Sequence, residues 1–226
     1  MNTVADNLAH IQEQIKAACS NCNRDPEEIT IIAVTKYVST SRAQEAVEAG
    51  ITDLGENRKE GLLEKYDIIG EQAKWHFIGS LQSRKVKEVI EQVTMIHSLD
   101  RKSLAKEINK RAKRPVPCFV QVNISGEESK QGLDPDEVES FIEGLKAYSN
   151  IKVAGLMTMA PHIEEEEQLR ATFRKLRALR DFIRDKQYAH APCEWLSMGM
   201  SNDFQLAIEE GATHVRIGTS LVGEQN

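Results

Sequence analysis

No basic tract interrupts this chain, and no apolar run approaches the ~18 residues that a membrane-spanning helix needs. Lysine and arginine number 29 against 35 aspartates and glutamates, a formal net charge of −6, so the electrostatic footprint of a nucleic-acid binder is missing. The N-terminus lacks the apolar core of a signal peptide. These absences predict a cytoplasmic protein with neither a membrane nor a nucleic-acid partner. Cysteine is scarce: four residues, at positions 19, 22, 118 and 193, are too few and too scattered for a disulfide scaffold in a chain of 226 residues. Cys19 and Cys22 have redox or zinc-ligand spacing, but a lone pair without a second pair nearby reads as ordinary helix-end cysteines, and no metal is expected. A glycine-rich turn after the first strand, the mark of a doubly wound dinucleotide-binding sheet, is missing too.

What is present is an alternation. Ile29 to Tyr37 is β-branched and apolar almost throughout and reads as a strand buried on both faces, ending in Lys36 and Tyr37. Ser39, Thr40 and Ser41 then offer a helix N-cap. Ahead of this strand, Val4, Leu8, Ile11 and Ile15 recur at helical spacing. Further strands are expected at 51–57, 75–80, 95–100, 117–124, 151–159, 194–199 and 213–219. Helices are expected between them, from the Ser/Thr cluster to Gly50 and at 59–66, 84–92, 102–112, 134–148, 164–188 and 203–210, the last capped by Ser201 or Asn202. The four glutamates from Glu164 to Glu167 complement the dipole of a helix start and read as a solvated first turn. Ala46–Thr52 resembles Ala207–Thr213: in each, a helix stops at a glycine and a strand follows at once. Eight strands, seven of them followed by helices, predict a single-domain (β/α)8 TIM barrel over residues 1–226. The additional N-terminal helix is the piece available to cover the place of the missing eighth crossover helix.

Active sites of such barrels lie at the C-terminal ends of the strands. Those ends carry Lys36, Asn57, Ser80 with His76 four residues back, Asn123, Met157 and Thr158, the turn from Ser197 to Ser201, and Arg216 to Thr219. Taken singly each is ordinary: strand-end lysines snorkel or pair, Ser201 can be an N-cap and Gly218 a turn. Gathered at one rim they suggest chemistry. Burying an ammonium lowers its pKa and makes Lys36 a nucleophilic amine. Ser201 at a helix start, with the small residues Gly218 and Thr219, forms a candidate phosphate cradle. An amine and a phosphate cradle suit an aldehyde that carries a phosphate, and pyridoxal 5′-phosphate is the natural candidate. Arg216 on the inward face would donate to the pyridine nitrogen and keep its own proton, leaving a weak electron sink. Transaminase-like chemistry would want a carboxylate there.

The motifs Ala33-Val34-Thr35-Lys36, Gly55-Glu56-Asn57, His76 to Gln82, Val122 to Ser125, Gly155 to Met159, Leu196 to Asp203 and Arg216 to Thr219, taken in order, resemble the pyridoxal phosphate homeostasis protein family, the single-domain relative of bacterial alanine racemase. The resemblance covers nearly the whole chain. It implies that Lys36 carries the cofactor as an imine, and that Ser201, Gly218 and Thr219 hold the phosphate. Arg216 would face the pyridine nitrogen, while Asn57, His76 and Met157 would line the cofactor, with Ser80 at the same rim. Within the turn, Ser197 and Ser201 are both candidates for the phosphate serine, with Ser201 favoured. The family is regarded as cofactor-handling and regulatory, without an established reaction.

Two functions therefore compete, with a third behind them. The first is a non-catalytic carrier that holds pyridoxal 5′-phosphate and releases it to apo-enzymes, as a monomer or weak dimer. The second is an amino-acid racemase, which needs a base on each face of the α-carbon. Lys36 can serve one face; in the two-domain racemases the opposite base is a tyrosine supplied with an additional β domain, and this sequence stops at Asn226. Of Tyr37, Tyr66, Tyr148 and Tyr188, Tyr37 alone lies at a strand end, and strand alternation turns it away from Lys36. A cofactor-free Schiff-base aldolase is the third. Lys130, in the loop Ser125–Gly132, is a candidate second amine for cofactor hand-over, against the ordinary reading of a solvated loop lysine.

Overall fold

The computed structural model describes residues 3–127, 131–161 and 165–223. Eight parallel strands close into a barrel in sequence order. They are β1 (Thr30–Val34), β2 (Asp53–Glu56), β3 (Lys74–Phe77), β4 (Met95–Leu99), β5 (Val116–Gln121), β6 (Ile151–Met157), β7 (Trp195–Met200) and β8 (His214–Ile217). β8 pairs back onto β1, with Ile217 beside Ala33, so no edge strand is left open. The helices around it are α1 (Val4–Asn21), α2 (Thr40–Glu48), α3 (Lys59–Ile69), α4 (Val86–Val89), α5 (Lys102–Arg111), α6 (Val138–Gly144), α7 (Glu166–Asp185), α8 (Phe204–Glu209) and α9 (Thr219–Val222).

The N-terminal helix does close the ring. A capping box between Thr3 and Asp6 starts α1, and Val4, Leu8, Ile11 and Ile15 are its buried stripe. It packs against α8 on one side and α9 and α2 on the other, the position an eighth crossover helix would hold. The repeated glycines act as read: Gly50 and Gly211 follow the last turns of α2 and α8 with φ of +103° and +106°, a conformation that disfavours any side chain. Cys19 is buried in the main core and Cys22 donates to the carbonyl of Ala18. Among the described residues no helix is long and apolar enough to cross a membrane.

Several boundaries differ from the sequence reading. β1 stops at Val34: Thr35 still donates its N–H to Gly55, but Val38 then donates back to Thr35, which folds Lys36 and Tyr37 into a turn. The expected helix at 84–92 shrinks to a 3₁₀ turn and the four residues of α4. α8 takes Asp203 as N-cap in place of Ser201 or Asn202, and Asp203 accepts from the N–H of Met200 at 2.5 Å. α9 was not anticipated, because Thr219–Val222 is too short to show a period.

Barrel interiors are usually filled by layers of Val, Ile and Leu. Here a small apolar cluster of Met95, Phe119 and Met157 shares the interior with Asp53, His76, His97, Ser197, His214 and Arg216, all of them buried. Buried polar groups of this number persist only when they satisfy one another.

Candidate functional site

A recess of about 830 Å³ opens at the C-terminal ends of the strands. That volume is in the range of cofactor sites. Of the expected site residues, Lys36, Asn57, Ser80, Ser201, Arg216, Gly218 and Thr219 line it together. Five strands bring them there: Lys36, Asn57, Ser80 and Ser201 follow β1, β2, β3 and β7, while β8 carries Arg216 and is followed by Gly218 and Thr219. Close packing holds two of these loops in register, since a Cβ on Gly79 would come within 2.5 Å of the carbonyl oxygen of Asn57.

Lys36 sits at the mouth and is exposed, which corrects the expectation of an amine buried at a strand end. Its Nζ lies 4.8 Å from the ring centroid of Tyr37. Tyr37 is 60% exposed and lines the same recess, so the alternation that would have turned it away does not apply: both residues are already past the strand. Opposite, Ser201 is in the turn after β7, and its Oγ accepts from the backbone N–H of Gly218 at 3.3 Å. The capping role once assigned to Ser201 has passed to Asp203, which leaves the Ser201 hydroxyl facing the recess.

Arg216 forms the floor. It is 5% exposed, donates through Nη1 to Ser197 Oγ at 2.6 Å, and donates through Nη2 to the carbonyl of Thr158 at 2.9 Å. Burial pushes its pKa down to about 10, against which the Asp203 carboxylate acts. At neutral pH the guanidinium therefore stays charged.

Three expected residues lie elsewhere. His76 belongs to the lower half of the barrel, where its ring is 2.9 Å from Asp53 and 2.8 Å from His97, and it lines a second cavity at the N-terminal face. It is the third of the four residues of β3, and its side chain is held by Asp53 and His97 inside the barrel, away from the recess. Met157 packs with Met95 and Phe119 inside the barrel. Ser197 is completely buried beneath Arg216, which settles its place relative to Ser201: Ser201 faces the recess and Ser197 does not. Asn123 is also displaced, because β5 ends at Gln121; Gln121 lines the recess while the Asn123 amide donates to the carbonyl of Glu127. Lys130 lies outside the described residues.

The residues passed over in the sequence are Gln121 and Asp203 at the recess, and His97 and Asp53 below it; Tyr37 was expected at the strand end but turned away from Lys36. Ending the fifth strand three residues earlier, at Gln121 and not Ile124, would have found the first of these. Nothing in the local sequence marks His97 or Asp53, since each becomes notable only through a partner on another strand.

Residues 7–226 match the family described as alanine racemase, N-terminal domain. A pyridoxal phosphate homeostasis protein of Aquifex aeolicus (strain VF5) is 42% identical over 224 residues, 97% of each chain. The chain belongs to the pyridoxal phosphate homeostasis protein family. A second member, from Escherichia coli (strain K12), is 35% identical over 234 residues, covering 100% of this chain and 98% of its own. Among solved structures, PipY of Synechococcus elongatus PCC7942 with PLP bound superposes with a TM-score of 0.85 at 30% identity, over 97% of this chain and 100% of PipY. An alanine racemase of Clostridium difficile 630 has a TM-score of 0.77 at 17% identity and is covered over 56% of its length, a likeness of fold.

Proposed function

We propose that this member of the family holds pyridoxal 5′-phosphate in the upper recess as a cytoplasmic carrier and regulator of cofactor supply, with Lys36 as the covalent anchor for the aldehyde. The observation that carries the reading is the convergence of a primary amine, a hydroxyl-and-amide wall and a guanidinium floor on one recess of about 830 Å³. Each part of the cofactor has a matching group. Lys36 offers the amine for the aldehyde, the Ser201 hydroxyl, oriented by the Gly218 N–H, offers with Thr219 donors for the phosphate, and Arg216 offers a donor for the pyridine nitrogen. A guanidinium has five N–H donors, and two of those on Arg216 are committed to Ser197 and Thr158.

When bound, the cofactor supplies an electron-withdrawing ring conjugated to the aldehyde carbon. Arg216 gives that ring a hydrogen bond and not a proton, since its pKa, even pushed down to about 10, lies far above neutrality. The ring's capacity to stabilise a carbanion is then small. Lys36 at the exposed mouth lets the aldehyde be reached and released from solvent, which favours loading and hand-over to apo-enzymes above commitment to chemistry at an α-carbon.

Borohydride reduction of the protein as isolated should remove the cofactor absorbance and fix the label to Lys36; a label found mainly on another lysine would reject the anchor. The same preparation incubated with L-alanine in deuterated water should show no sustained D-alanine formation. Tyr37 in the recess is the one observation that favours a racemase. D-alanine accumulating beyond stoichiometry, and lost in both Lys36→Ala and Tyr37→Phe, would replace the carrier reading with that one.

A further inference from the structure

Below the recess, five buried side chains from five strands touch in single file. Arg216 Nη1 donates to Ser197 Oγ at 2.6 Å, and Ser197 Oγ lies 2.9 Å from His97 Nδ1. His97 Nε2 is 2.8 Å from His76 Nδ1, and His76 Nε2 is 2.9 Å from Asp53 Oδ1. Thr52 donates to the other oxygen of Asp53 at 2.6 Å. The file begins at the recess, which Arg216 lines, and ends at a cavity of about 670 Å³ at the N-terminal face, which His76 and Asp53 line. None of the five is more than 6% exposed.

We propose that Asp53, His76, His97 and Ser197 are positioning residues, a one-way hydrogen-bonded column through the barrel that sets the orientation of Arg216 from the opposite face of the barrel. The inference rests on the reading of the upper recess as the cofactor site.

The two ends determine the direction of every hydrogen. A guanidinium only donates and a carboxylate only accepts. Asp53 is ionised: burial raises its pKa, but hydrogen bonds from His76 and Thr52 outweigh this and hold it below the usual value. His76 therefore carries a proton on Nε2. Burial, reinforced by His76 and Arg216, pushes the pKa of His97 well below its ordinary value, so this ring is neutral and has one N–H. If that proton is on Nε2, it points to His76 Nδ1, and Nδ1 of His97 accepts from the Ser197 hydroxyl, whose oxygen accepts from Arg216. Every donor then has one acceptor. If it is on Nδ1, His76 must donate from both nitrogens as a cation, and the Ser197 hydroxyl hydrogen loses its acceptor in a fully buried site. An unmet buried donor costs about 1–3 kcal/mol. The first arrangement is selected, with each hydrogen pointing from Arg216 toward Asp53.

His214 stands beside the column and outside it. Its ring centroid is 6.5 Å from those of both His76 and His97, and its Nδ1 is 2.9 Å from Thr213 Oγ1. The column matters to the recess because Ser197 can accept from Arg216 without reserve only while its own hydrogen is taken by His97. A change at the floor reverses that. In Asp53→Asn, Thr52 continues to donate to the remaining oxygen, which turns the amide N–H toward His76 Nε2. His76 then accepts there, and the protons of both rings move to Nδ1.

The test uses full-length protein with ¹⁵N-labelled histidine and long-range ¹H–¹⁵N correlation spectra. Wild type should show His76 and His97 both protonated on Nε2, and Asp53→Asn should move both protons to Nδ1. Pyridoxal 5′-phosphate titrations on the same proteins should show about tenfold weaker binding for Ser197→Ala, the loss expected for one hydrogen bond to a charged group. Asp53→Asn should weaken binding in the wild-type background and add nothing in the Ser197→Ala background, because Ser197 is the link. His97 protonated on Nδ1 in wild type would overturn the column, as would an equal effect of Asp53→Asn in both backgrounds. The wild-type spectrum needs no variant to fold. A protein with the expected tautomers that fails to bind the cofactor would reject the cofactor reading and leave the column standing.

Discussion

Replacing Lys65 with methionine removes the cation from an ion pair buried between the sheet and α3. Lys65 Nζ lies 2.9 Å from Glu56 Oε1, with the two side chains 5% and 1% exposed. Thr35 donates to the same oxygen at 2.7 Å, while Glu56 Oε2 is buried without a hydrogen-bond partner. At 2.9 Å and an effective dielectric constant of about 20, the attraction is about 6 kcal/mol. Desolvating the two charges costs several kcal/mol each, so the intact pair contributes little net stability. Removing one partner is different, because the Glu56 carboxylate keeps its desolvation cost and retains only the Thr35 hydroxyl. Lys65→Met should therefore cost about 3–5 kcal/mol. For a chain of this size that lowers Tm by roughly 6–20 °C. The double variant Glu56→Leu with Lys65→Met should recover most of the loss, since nothing charged is left buried. Urea denaturation followed by circular dichroism measures all three proteins. A single variant within about 1 kcal/mol of wild type would refute the reasoning, and so would a double variant as unstable as the single one. The pair bears on function through Thr35, whose hydroxyl ties this buried carboxylate to the turn that presents Lys36.

Two further outcomes follow from the same geometry. Unphosphorylated pyridoxal should bind far more weakly than the phosphate ester, and Ser201→Ala should narrow the gap; equal binding of the two aldehydes to wild type would remove the phosphate from the Ser201–Gly218 wall. Burial, with help from His76, pushes the pKa of His214 down to about 3 from 6.5. The unfolded chain then binds a proton that the folded chain refuses between those values, so stability falls as pH drops from about 6.5 toward 3, by up to ~1.4 kcal/mol per pH unit for this one ring. His214→Phe, which keeps an aromatic ring against Phe119 and Trp195, should make that slope shallower by one proton in pH-dependent urea titrations. An unchanged slope would show that His214 is protonated in the folded protein.

The amino-acid sequence by itself determined the alternation of strands and helices, because burial on both faces of a parallel strand and on one stripe of a helix leaves a period in the residues. It also determined where helices stop, since Gly50 and Gly211 are needed at positive φ whatever surrounds them. Lys36, Asn57, Ser80, Ser201, Arg216, Gly218 and Thr219 were legible for a related reason: a barrel sends every strand end to one rim, so reading strand ends collects the rim. What failed was the count along each strand. β1 ends two residues before Lys36 because a backbone turn from Thr35 to Val38 competes with the ladder, and that competition is decided by the neighbouring strand. His76 was assigned to the wrong half of the barrel for the same reason: its height depends on the stagger of β3 against β2 and β4, which no local pattern records. Only the closed barrel placed Asp53, His76, His97, Ser197 and Arg216 in contact. Each comes from a different strand, and a hydrogen bond across a barrel has no signature in the spacing of residues along the chain.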